Sequence, residues 1–205
     1  RDLHLSIRRQ RQMCIRDRTI RTEDVSFLID NLLQQFSSAD NFMANADTSK
    51  IGIFGHSFGG CTSVMAAYSD SRIDAVFGLD AYFLPLPKAI TSRDMNKPFV
   101  HLGQPSWGSS NNYSVMETLA KKNSKISTHF AVEGSRHYDF TDFSQFTRLT
   151  KKFGSGKISP KTIRLIMNTL LLDFFEKTHF LQHFEVKSNK SQFFIQIFKI
   201  DRSTY

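Results

Sequence analysis

Cysteine is nearly absent from this 205-residue chain: only Cys14 and Cys61 occur, too few for the disulfide framework that holds together small secreted domains. Proline (5) and glycine (10) are sparse too, which excludes collagen-like and low-complexity chains, and a 40% hydrophobic content with 20 Phe excludes disorder of the whole chain. No run of 18 apolar residues exists. The nearest, Leu165–Phe175, is broken by Asn168, Thr169 and Asp173, so no transmembrane segment is expected. Zinc-type Cys/His spacing, G-x-G-x-x-G, a P-loop and internal repeats are missing as well, and no metal or cofactor is expected.

Acidic residues are outnumbered, and the formal net charge is +8. The excess is local: residues 1–21 hold seven Arg against Asp2 and Asp17, +5 of the total, which leaves +3 for the other 184 residues. A small excess spread over a surface is not a phosphate-binding face, so no nucleic-acid partner is expected. The same segment has no apolar core of a signal peptide, and the compartment stays open. Its run RQMCIRDR resembles a translated sequencing adapter, and residues 1–18 are therefore set aside as a non-native basic segment.

Regular patterning begins at Thr22. Val25, Leu28, Ile29, Leu32, Leu33 and Phe36 recur at three- and four-residue spacing, which predicts an amphipathic helix over 22–37 with Thr22 or Asp24 as its cap. A polar linker, 37–50, leads to the short apolar run Ile51–Phe54. That run stops at Gly55-His-Ser-Phe-Gly-Gly60, and CTSVMAAYS continues as a helix. A G-x-S-x-G placed between strand and helix is a nucleophile elbow: the tight turn lifts Ser57 above the sheet, and the helix N-terminus behind it stabilises developing negative charge.

A serine hydroxyl is a weak nucleophile until a base takes its proton, and the base needs an orienting acid. Asp80 ends the strand candidate Ile73–Leu79, whereas the loop after the next strand candidate, Phe99–Leu102, reads GQPSWGSSNNYS and contains no acid; Asp80 is therefore the candidate. Among seven histidines, His137 lies on the loop after the strand candidate Ser127–Val132 and can swing over Ser57. His56 is read as a neighbour of the nucleophile, and His101 and His129 as buried strand residues. His179 and His183 fall in weakly patterned sequence. Asp139 and Asp142 are read as polarising or capping the His137 loop, and Cys61 as a buried small hydrophobe.

With these residues in hand, GHSFGG (55–60), GLDAYFLPL (78–86) and GSRHYDFTDFS (134–144) resemble the motifs of the plasma-type platelet-activating factor acetylhydrolases, the lipoprotein-associated phospholipase A2 group. The resemblance covers residues 20–180. It implies an α/β-hydrolase fold, here the C-terminal portion of a mostly parallel sheet flanked by helices, and cofactor-free hydrolysis of a short or oxidised sn-2 acyl ester of a phospholipid. By the same resemblance Ser57 is the nucleophile, Asp80 the acid, His137 the base and Phe58 N–H one oxyanion donor. Tyr82, Phe83, Trp107 and Phe140 are expected to border the substrate, and the partner is a phospholipid or small ester, with peripheral lipid-surface contact. A general carboxylesterase or dienelactone-hydrolase-like enzyme, and a non-catalytic lipid-binding remnant, are the alternatives. The organisation expected is a partial hydrolase domain at 19–180 and an unassigned tail at 181–205. Early strands and the loop for a second oxyanion donor are expected to be missing, which would leave the chain as printed inactive. Ser159–Lys177 reads as a late helix opened by Ser-Pro, and Phe193–Ile200 as a β-prone edge strand, aggregation hazard or interfacial anchor.

Overall fold

The computed structural model describes residues 2–36, 47–105, 107, 111–146, 150, 152, 154–180 and 195–199. Among the described residues, five strands form one sheet in the order β1 (Ile51–His56), β2 (Ile73–Leu79), β3 (Phe99–Gly103), β4 (Ser127–Val132) and β5 (Ile195–Lys199). The first four run parallel and β5 joins antiparallel to β4. Parallel neighbours require crossovers, and helices supply them: α2 (Phe58–Ser69) lies between β1 and β2, α3 (Lys88–Thr91) between β2 and β3, and α4 (Asn111–Lys122) between β3 and β4. A helix α1 (Asp2–Phe36) precedes the sheet; a short α5 (Phe143–Phe146) and a long α6 (Pro160–Phe180) lie between β4 and β5.

Helices on both faces bury β3 throughout and β2 at every residue but Asp74, which is why both read as nearly continuous apolar runs rather than alternating ones. On one face Ile29 of α1, Cys61 and Val64 of α2 and Met116 and Leu119 of α4 pack over Ile73, Val76 and Phe99. On the other, α6 lays Ile163, Ile166, Leu170 and Phe174 against Ala75, Phe77, Val100 and Phe130. The spacing of those four α6 residues is one helical stripe, and Phe174 meets Phe77 edge-on at 5.6 Å. Ser159 starts α6 by accepting the Thr162 N–H at 3.1 Å, with Pro160 at the first helical position, where no N–H is needed.

The helix expected from Thr22 extends back to Asp2. Thr22 does not cap it. Its hydroxyl donates to the Arg18 carbonyl one turn earlier, at 2.8 Å, so the residue type that signals a start is satisfied inside the helix. Arg18 is buried, and its guanidinium reaches the Pro85 carbonyl beyond β2. Among the described residues no helix is long and apolar enough to cross a membrane. Of the β-prone run 193–200, residues 195–199 form β5; the remainder of the tail and most of the 37–50 linker lie outside the described residues.

Candidate active site

β1 ends at His56, and the chain turns into α2 through Ser57, which adopts φ 56°, ψ −121°. A non-glycine residue there is strained by about 1–3 kcal/mol and persists only where its surroundings hold it. Four bonds do so: Ser57 N–H donates to Leu79 O at 3.0 Å, and Ser57 O accepts from Gly60 N–H at 3.0 Å, Cys61 N–H at 3.4 Å and Tyr82 N–H at 2.9 Å. Close approach of neighbouring atoms explains two of the glycines. A Cβ at Gly55 would lie 2.4 Å from the Gly59 carbonyl, and one at Gly60 would lie 2.3 Å from Ala81 Cβ. Gly59, the second glycine of the G-x-S-x-G pattern, has open space where its Cβ would be.

Asp80 follows β2 directly, fully buried and also at positive φ, 39°. Its carboxylate accepts four hydrogen bonds: from His137 Nδ1 at 2.6 Å, Gln104 N–H at 3.0 Å, Gln104 Nε2 at 2.9 Å and Trp107 Nε1 at 3.0 Å. Gly103 makes room for this cluster. A Cβ there would sit 2.9 Å from Asp80 Oδ1 and 2.9 Å from the Tyr113 hydroxyl. Burial first, and then the nearby Asp80 charge, push the Tyr113 phenol up, so it stays a neutral hydroxyl and donates to the Gln104 carbonyl.

His137 opens a 3₁₀ turn (His137–Phe140) after β4, and its Nε2 lies 2.9 Å from Ser57 Oγ. The turn is held by Asp139, a buried carboxylate that accepts the N–H of Arg136 at 2.8 Å and of Gly156 at 2.6 Å. His56 braces it from the other side: Nε2 donates to the His137 carbonyl at 3.0 Å and the two rings lie 4.5 Å apart. Desolvation, then the neighbouring His137, push the His56 imidazole down, which keeps it a neutral donor rather than a competing cation.

Ser57, His137 and Asp80 thus form one continuous hydrogen-bonded line. With Nδ1–H donated to Asp80, Nε2 is free to accept the Ser57 proton. Phe58 begins α2, so its N–H belongs to the first turn, where no intrahelical carbonyl can receive it. The four aromatics expected at the substrate divide. Phe83 is wholly buried against Phe99 and His101, and Phe140 is buried under α6, so both are core side chains rather than solvent-facing ones. Tyr82 and Trp107 are half-buried and stack at 5.6 Å beside His137, and Trp107 spends its indole N–H on Asp80. A groove of about 530 Å³ borders the His137 loop, lined by Gly134, Ser135, Arg136, Ser155, Gly156 and Lys157; none of the four aromatics lines it.

Gln104 and Gly103 carry no signal in the sequence: Gln104 reaches Asp80 through its backbone N–H and side-chain amide, which no motif marks, and Gly103 contributes an absence of atoms. Among the described residues no group of three or more His, Cys, Asp or Glu is placed to hold a metal ion.

A parallel sheet between helices, with a serine on the strained turn after one strand, an acid after the next and a histidine beyond a later one, defines the α/β-hydrolase fold. A solved structure shares it: the ferulic acid esterase from Streptomyces cinnamoneus, TM-score 0.65 and 24% identical, aligned over 80% of this chain and 49% of that one. By sequence, the chain belongs to the family of platelet-activating factor acetylhydrolase, isoform II, which it matches over residues 8–195. Relatives named platelet-activating factor acetylhydrolase include those of Cavia porcellus, 27% identical over 73% of this chain and 34% of the relative, and Canis lupus familiaris, 32% identical over 63% and 27%. That of Gallus gallus is 28% identical over 72% and 35%. The chain spans about a third of the length of these relatives.

Proposed function

We propose that the chain carries the catalytic machinery of a serine ester hydrolase acting on the short or oxidised sn-2 acyl ester of a phospholipid. The observation that carries the reading is the unbroken line Asp80–His137–Ser57, at 2.6 and 2.9 Å. Family membership supports the ester-hydrolase class and the choice of substrate.

In this mechanism Ser57 Oγ attacks the ester carbonyl while His137 Nε2 takes its proton. Asp80 holds the imidazole in the accepting tautomer and stabilises the imidazolium. Phe58 N–H donates to the tetrahedral oxyanion, a contact whose loss typically costs about 2.7–4 kcal/mol of transition-state stabilisation. His137 returns the proton to the departing lysophospholipid oxygen, leaving an acyl group on Ser57. Water then attacks this ester, its proton passing to His137 and on to Ser57 Oγ as the carboxylic acid is released. Two strained residues at the reacting centre fit such preorganisation, since the cost is met on folding rather than at each turnover.

The test is labelling with a fluorophosphonate probe, followed by hydrolysis of sn-2 acetyl phospholipid, long-chain phospholipid and simple aryl esters. Labelling that disappears in Ser57→Ala is expected, and any turnover is expected to favour the sn-2 acetyl substrate. A wild-type chain that folds and takes no label overturns the reading.

A further inference from the structure

Asp80 is held at φ 39°, and the backbone around it is pinned one group at a time. Four consecutive N–H groups each find a separate partner. Asp80 N–H bonds Leu102 O at 2.7 Å, closing the strand ladder, and Tyr82 N–H bonds Ser57 O at 2.9 Å. Phe83 N–H bonds Asn112 Oδ1 at 2.7 Å, with Asn112 Nδ2 returning a bond to Ala81 O at 2.9 Å. Ala81 N–H, immediately after the strained residue, has no carbonyl: it donates to the imidazole Nε2 of His101 at 3.0 Å.

His101 is built for that acceptor role. The ring is fully buried in β3, edge-on to Phe83 at 5.1 Å and beside Tyr113 and His129 at 5.6 and 4.8 Å. It occupies a slot that two glycines leave open: a Cβ would lie 3.2 Å from its Cδ2 at Gly78 and 2.7 Å from its Cε1 at Gly103. Only the neutral ring protonated on Nδ1 can accept at Nε2; an imidazolium would set N–H against N–H. Burial, with His129 alongside, pushes the imidazole well down and keeps it neutral. The Gly103 that admits the ring also admits the Asp80 carboxylate, so the two side chains share one space.

We infer that His101 is a positioning residue for the hydrolase reaction proposed above: its Nε2 locks the Ala81 N–H and thereby the backbone conformation that aims the Asp80 carboxylate at His137. It touches neither substrate nor the reacting atoms, and acts through Asp80. Asn112 performs the matching task two residues further along.

Two variants and one measurement on the unaltered protein test this. His101→Met removes the acceptor while keeping an apolar filling; His101→Gln keeps a carbonyl oxygen within reach of the Ala81 N–H. Fluorophosphonate inactivation separates reagent binding from the maximal rate of reaction at Ser57. In His101→Met that maximal rate is expected to fall about tenfold to a hundredfold, with reagent binding unchanged and the proton resonance of the Asp80–His137 bond displaced. His101→Gln is expected to recover to within about threefold of wild type. Unchanged rate and resonance in a folded His101→Met overturn the inference. Should His101→Met not fold, ¹⁵N NMR of the wild-type chain decides. An unprotonated Nε2 coupled to the Ala81 amide supports the role, and a protonated Nε2 refutes it. A wild-type chain whose Ser57 takes no label refutes the hydrolase reading instead, while the nitrogen tautomer still reports on the lock itself.

Discussion

Replacing each glycine of the Gly59–Gly60 pair by alanine makes a demanding test, because the two neighbours occupy opposite situations. Both lie in the first turn of α2, and neither has positive φ. At Gly59 a methyl group enters open space, so Gly59→Ala gains helix propensity and is expected to be stabilising by up to about 0.8–1 kcal/mol. At Gly60 the same methyl lies 2.3 Å from Ala81 Cβ and 3.0 Å from Gly55 O, in the contact that joins the nucleophile turn to the acid turn. Neither neighbour is the far end of a flexible side chain. Overpacking of this kind costs about 1–3 kcal/mol. The two variants should therefore differ by about 2–4 kcal/mol, or roughly 5–15 °C in melting temperature for a chain of this size. Thermal and urea unfolding, with probe labelling of Ser57, measure the difference, and Gly60→Ala should also label more slowly. Equal stabilities, or a Gly59→Ala less stable than wild type by more than 1 kcal/mol, would refute the reading of this turn.

Acid should destabilise the fold well above the carboxylate range. Burial lowers His129 to about 4 against an ordinary 6.5, with the Asp80 charge opposing, and burial lowers His101 as well. The unfolded chain then binds more protons between those values, so stability is full above pH 6.5 and declines toward pH 4, by about 3 kcal/mol from His129 alone. A urea midpoint that stays flat from pH 7 to pH 4.5 counts against neutral buried imidazoles. Phe174→Ala, which empties a fully buried site against Phe77, is expected to cost about 3–5 kcal/mol in urea unfolding; a loss below 1 kcal/mol contradicts the packing of α6. Asp139→Ala strands the Arg136 and Gly156 N–H groups, so hydrogen exchange should rise in 134–140 and Ser57 labelling should slow by about tenfold. Unchanged exchange there would show that the loop is held by something else.

What the sequence made legible follows from how local each signal is. The strand–turn–helix at 51–69 could be read because the apolar run, the flanking glycines and the helix formers all lie within twenty residues. Asp80 could be read because strand ends are visible in apolar periodicity, and the next loop holds no rival acid. The start of α1 could not, since Thr22 is a capping residue that here bonds back to Arg18. Nor could the other partners of Asp80: Gln104 lies 24 positions away and reaches it through both its backbone N–H and its side-chain amide. Phe83 and Phe140 were expected near the substrate and are core residues, because an aromatic beside a site and one beneath it have the same sequence signature.

The bond from Tyr82 N–H to Ser57 O, with that from Ser57 N–H to Leu79 O, stitches the hydroxyl-bearing and carboxyl-bearing corners into one unit on adjacent strands. The imidazole arrives separately, from beyond β4, on a loop secured by Asp139 and His56. Two anchors are thus welded together and the third is bolted on. Directed evolution that seeks new reactivity in this scaffold should vary 134–156 around an unchanged His137 and Asp139, and leave 55–60 and 78–83 alone.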